Sequence, residues 1–86
     1  MPEISRFLGI VIRMYFEEHP PPHFHASYGD REAWVAVRPL AVLRSELSPR
    51  VLSLVLEWAA AHQDELAANW RAMRAGQPPQ KIEPLS

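Results

Sequence analysis

The run His23-Phe24-His25-Ala26-Ser27-Tyr28-Gly29-Asp30-Arg31-Glu32-Ala33-Trp34-Val35-Ala36-Val37 decides the fold of this chain. Two strand-like stretches, 23–28 and 31–37, flank Gly29-Asp30, a dipeptide suited to a two-residue type I′ or II′ hairpin turn. That turn predicts a register. Tyr28 lies opposite Arg31, Ala26 opposite Ala33 and Phe24 opposite Val35. On the alternate positions Ser27 meets Glu32, His25 meets Trp34 and His23 meets Ala36. Side chains alternate across a strand, so Phe24, Ala26, Ala33, Val35 and Val37 form one apolar face. His23, His25, Glu32 and Trp34 share the other. A slip of one residue would invert the faces of one strand, so the polar face depends on this turn.

Upstream, 9–16 reads as another strand. Ile10, Ile12, Met14 and Phe16 fall on one side, and Val11, Arg13 and Tyr15 on the other. Glu17-Glu18-His19-Pro20-Pro21-Pro22 ends it, because three consecutive prolines supply no amide donors to a sheet. Downstream, Arg38-Pro39 breaks the hairpin, and 40–47 reads as a short, weaker edge strand. Ser48 and Pro49 then make an N-cap and a favoured first helical residue. No Gly or Pro interrupts 50–75, and Gly76 and Pro78-Pro79 stop the helix. Leu52, Val55, Leu56, Ala59, Leu66, Trp70 and Met73 follow helical spacing, with Trp58 and Trp70 expected in the core or at a dimer contact. A continuous helix of this extent would be ~40 Å long. It must either bend near His62–Asp64 or overhang and pack on another chain, and the overhang is slightly favoured.

The expected fold is therefore α+β: an antiparallel meander of three to four strands, followed by one long C-terminal helix on one sheet face. Residues 1–76 form a single domain, and 77–86 a polar, proline-containing tail running as coil. At 86 residues a second domain is excluded, and a chain this small buries only ~60–65% of its unfolded surface. A protein partner or a homodimer is expected on that ground. The net charge of −1 removes the generic electrostatic case for coating nucleic acid or anionic membranes, but not a local basic site. With no cysteine, neither disulfides nor thiolate metal sites exist. No apolar run approaches the ~18–20 residues of a membrane span, and the N-terminus lacks a secretory layout. No membrane association and a cytoplasmic location are expected.

Three of the four histidines lie in His19-Pro20-Pro21-Pro22-His23-Phe24-His25. Residues His23 and His25 sit on one strand face about 7 Å apart at their bases. Two such imidazoles can converge on a divalent metal such as zinc, with His19, Glu17 or Glu18 as third ligand and an open position left over. The expected metal set is His19, His23 and His25. The bland alternative is that the histidines populate a half-exposed face, with His25 beside Trp34. The same face, Arg13, Tyr15, His23, His25 and Trp34, suits two kinds of binding. It can stack bases and contact phosphate, with His23 or His25 as a catalytic acid or base on RNA. It can equally anchor a protein partner, which requires no chemistry. His62 is an isolated helical residue. No serine sits in a nucleophile elbow, and three glycines cannot build a phosphate-cradling loop.

Several segments look familiar together: Ile4-Ser5-Arg6-Phe7, Gly9-Ile10-Val11-Ile12-Arg13-Met14-Tyr15, the string from His19 to Ala26, Leu56-Glu57-Trp58 and Lys81-Ile82-Glu83-Pro84-Leu85. They resemble the small bacterial domain-of-unknown-function family 4160 over nearly the whole chain. The string Pro21-Pro22-His23-Phe24-His25-Ala26 is the most specific part. The resemblance implies a bacterial cytoplasmic protein. Members are often encoded beside another short protein, which implies a cognate partner in a toxin–antitoxin-like pair. It implies no reaction and no catalytic residue.

Overall fold

The computed structural model describes residues 2–16 and 18–85. Five strands, β1 (Glu3–Phe7), β2 (Ile10–Arg13), β3 (His23–Tyr28), β4 (Arg31–Ala36) and β5 (Ala41–Ser45), precede two helices, α1 (Pro49–Ala61) and α2 (Gln63–Arg74). The strands form one antiparallel sheet in chain order. The α+β class stands, but three to four strands become five and the single long helix becomes two.

The central hairpin has the pairing its turn demands, from His23 opposite Ala36 to Tyr28 opposite Arg31. Gly29 takes φ 63° and Asp30 keeps a negative φ, which selects the type II′ form of the turn. Phe24, Ala26, Ala33, Val35 and Val37 are all fully buried on the apolar face. Trp58 of α1 covers that face, with its ring 5.5 Å from Phe7 and 5.7 Å from Phe24. Truncating a buried tryptophan to alanine costs about 3–5 kcal/mol, so Trp58 is a principal core contact.

The additional strand, β1, was hidden by a bulge. Its pairing with β2 shifts between Glu3 and Ser5, so Ile4 and Ser5 are both buried and the alternation is lost. The turn to β2 also places Leu8 at φ 51°, a conformation that its side chain does not advertise. β2 is shorter than the expected strand: Met14 is buried beyond its end, and Phe16 is exposed.

The helix breaks at His62, one of the two outcomes expected for so long a segment. The overhang is overturned: the longest dimension of the molecule is 34 Å, shorter than the continuous helix would be. Ser48 Oγ accepts the Val51 N–H and starts α1. Asp64 and Glu65 occupy the first turn of α2, and Arg71 and Arg74 its last, as the helix dipole favours. α2 then crosses the end of the sheet. Gln63 Nε2 donates to the carbonyl of Val37 at 2.7 Å, and Arg38 pairs with Asp64.

Beyond α2 the described residues form neither helix nor strand, yet they are strapped down. Ile82 is buried in the core, and its N–H donates to the carbonyl of Ile4 at 2.8 Å, closing the outer edge of β1. Arg6 donates to Glu3 on the same strand at 2.8 Å, a bond that holds the Glu3 carboxyl below its ordinary range. Trp58 Nε1 donates to the carbonyl of Glu83 at 2.8 Å. Asn69 donates to the carbonyl of Gln80 and accepts its N–H, at 2.9 and 2.8 Å. At the other edge, nothing follows β5 in the sheet. Among the described residues no helix is long and apolar enough to cross a membrane.

Asn69→Ala leaves two Gln80 backbone groups without partners and loosens the strap. Its unfolding free energy in urea is expected to fall by about 1–3 kcal/mol. An unchanged transition midpoint would show that the strap adds no stability.

Candidate functional site

β3 projects His23 and His25 away from Phe24 and onto the same side as Trp34. The two imidazole centroids are 5.3 Å apart. Trp34 lies 5.0 Å from the His25 ring and 6.1 Å from the His23 ring, nearly parallel to the latter. Tyr15, just past β2, meets His25 edge-on at 4.6 Å. Trp70 of α2 reaches His23 at 5.4 Å. Together these rings enclose both histidines, which are only 6% and 7% exposed.

Burial corrects the expected contact surface. Arg13, Tyr15 and Trp34 remain half-buried and can touch a partner, but neither imidazole is presented to one. Tyr15 and Trp34 cover His25, and α2, which starts after the break at His62, brings Trp70 over His23. Sequence spacing offered no sign of this closure. Nor did it show that Arg74 Nη1 donates to the carbonyl of Glu18 at 3.1 Å, fastening the proline-rich loop to α2.

The polar contacts are asymmetric. His25 Nε2 is 2.6 Å from Glu18 Oε1, a charge-assisted hydrogen bond. His23 Nδ1 lies 2.8 Å from the carbonyl oxygen of Pro21. A carbonyl only accepts, so Nδ1 carries the proton and donates. His23 Nε2 is then left buried without a hydrogen-bond partner, 3.6 Å from Glu18 Oε1. An orphaned buried polar atom of this kind costs about 1–3 kcal/mol. Among the described residues only Ser5 Oγ shares that condition.

Donor atoms of Glu18, His23 and His25 all lie within 4.8 Å of one another. His19, placed in the expected metal set, is exposed and outside this group. Its place is taken by Glu18, because the loop turns back over the sheet and presents the residue before His19. Glu17, also weighed as a ligand, lies outside the described residues. His62 is remote from the cluster and pairs with Glu65 at 2.5 Å, beside Trp58.

Trp34 joins the cluster to the open edge. Its Nε1 donates to Glu32 at 2.8 Å, and the Arg44 guanidinium of β5 lies 5.1 Å from its ring centroid. All five β5 side chains are exposed, including Val42 and Leu43. The pairing of β4 with β5 shifts between Trp34 and Val35, which leaves Leu43 without a partner across the ladder. Arg13, Arg44 and Arg74 thus surround the histidine face from β2, β5 and α2.

A family model described as a domain of unknown function, DUF4160, matches residues 9–71. That range contains every residue of the cluster and Trp70, but not Arg74 or the strap. Neither the curated proteins nor the solved structures provide a match.

The orphaned nitrogen makes a stability prediction. His23→Leu removes it while keeping an apolar filling between Trp34 and Trp70. Its unfolding free energy is expected to stay within about 1 kcal/mol of the wild type despite the burial. A loss above about 3 kcal/mol in chemical denaturation would show that the imidazole is there for packing.

Proposed function

The chain belongs to the DUF4160 family, a domain of unknown function, and we propose that it is a small bacterial, cytoplasmic interaction module, one component of a toxin–antitoxin-like pair. The carrying observation is the unequal treatment of the two sheet edges. The β1 edge is closed by the strap and carries a charged pair, whereas β5 ends the sheet with Val42 and Leu43 exposed. An uncovered edge with exposed Val42 and Leu43 is a pairing template, interrupted here only by the bulge at Leu43 and the Arg44 charge. The partner adds a strand along β5, where backbone hydrogen bonds supply affinity. Trp34, with Arg44 over its ring, is the adjoining anchor, of the residue types that dominate interface energetics. The small size of the domain adds to the case for a partner.

A second reading, a metal- or histidine-dependent ribonuclease or nucleic-acid-binding protein, draws on the Glu18–His25 contact and the three surrounding arginines. An imidazole hydrogen-bonded to a carboxylate is suited to proton transfer. If the purified protein cleaves a single-stranded RNA, His25→Ala is expected to abolish the cleavage. Cleavage that survives this change would remove His25 from any catalytic role.

The interaction reading is tested by co-expression with the short neighbouring protein that the resemblance to the family leads one to expect. A one-to-one complex is expected for the wild type, with at least tenfold weaker binding for Leu43→Lys and Trp34→Ala. Both variants should retain the wild-type circular dichroism spectrum. Equal affinity in both would remove this edge as the docking site. A stable dimer of the chain alone, abolished by Leu43→Lys, would show that β5 serves a second copy instead.

A further inference from the structure

The geometry points to a divalent transition-metal site formed by Glu18, His23 and His25, independent of the β5 interaction reading. Three features carry this beyond a chance cluster. The donors converge from two separate segments, the proline-rich loop and β3, to within 4.8 Å of one another. The His23 side chain is 7% exposed, and its Nε2 is unpartnered and faces Glu18 Oε1 at 3.6 Å. The opposite ring nitrogen donates to the Pro21 carbonyl, which fixes the ring orientation and turns Nε2 toward Glu18. That is the outer-shell arrangement which metal-bound histidines favour.

The spacing suits an ion. Donors ~2.0–2.1 Å from a tetrahedral zinc stand a little over 3 Å apart. The Glu18–His23 separation of 3.6 Å is already close to this, whereas the Glu18–His25 contact of 2.6 Å must open. Glu18 can supply that movement, since its side chain is 28% exposed and sits on a loop. Two imidazoles and one carboxylate select borderline cations such as zinc or ferrous iron over magnesium or calcium. Three protein donors leave at least one position for water or another ligand. Tyr15, Trp34 and Trp70 form the apolar wall of the site, which limits water around it.

The test uses the full chain without a histidine tag, titrated with Zn2+ by calorimetry and with Co2+ by visible absorption. One saturable equivalent is expected, with a cobalt spectrum typical of low coordination number and a raised Tm in Zn2+. His23→Gln and His25→Gln should weaken binding by at least the roughly 10–100-fold that follows loss of a mere outer-shell partner. Glu18→Gln, on the loop and outside the core, should weaken it similarly and covers the case in which a histidine variant misfolds. His19→Gln and His62→Gln should bind as the wild type does. Absence of saturable binding, or wild-type affinity in Glu18→Gln, would overturn the site, as would loss of binding in His19→Gln or His62→Gln.

Discussion

The pairing of His25 with Trp34 across β3 and β4 fixes the side of the sheet that every neighbouring residue takes. With that register, Phe24, Ala26, Ala33 and Val35 take the face covered by Trp58 of α1, and the two imidazoles take the other. One residue of slip in either strand would bury a histidine under Trp58 or expose Phe24, at a cost of several kcal/mol in lost burial. The type II′ turn at Gly29 and the apolar face agree on the same register. This agreement is what keeps two histidines and a tryptophan together.

The polar face is then enclosed by a different device. α2 turns at His62 and lays Trp70 against His23, while Arg74 binds the backbone of Glu18. The loop and the helix thereby hold each other over the sheet end. The result is a small aromatic chamber holding an imidazole nitrogen that the protein leaves without a partner. Such an atom reduces stability, and an apolar side chain would fill the same space without that cost. Sites that depart from the most stable choice are where function concentrates. The same Trp34 that walls the chamber also supports Arg44, so the buried cluster and the open β5 edge are physically continuous.

Much of this was legible in the residues. The hairpin carried its own turn signal, and Ser48-Pro49 and Gly76 bracketed the helical region. The two-helix split was harder to read, because neither Gly nor Pro stands at His62; only the acidic pair Asp64-Glu65 marks a second helix start. β1 was concealed because a bulge destroys the period of two. At the site, strand periodicity gave the shared face of His23, His25 and Trp34, but not its depth. Burial of His23 draws on Trp70, distant in sequence and placed by the second helix, and burial of His25 on Tyr15 and Trp34. The choice of Glu18 over His19 depends on the path of three prolines, which composition alone does not specify.

The central claim is that His23 sits in the enclosure with Nδ1 donating to the Pro21 carbonyl and Nε2 without a hydrogen-bond partner, facing Glu18 beside His25. Long-range 1H–15N NMR correlation of the imidazole rings in metal-free protein tests it most directly. The account predicts a proton on His23 Nδ1, slow ring-proton exchange with water, and cross-relaxation from His23 ring protons to Trp34 and Trp70. An Nδ1 without a proton, or a ring averaging freely between tautomers in contact with solvent, would contradict it.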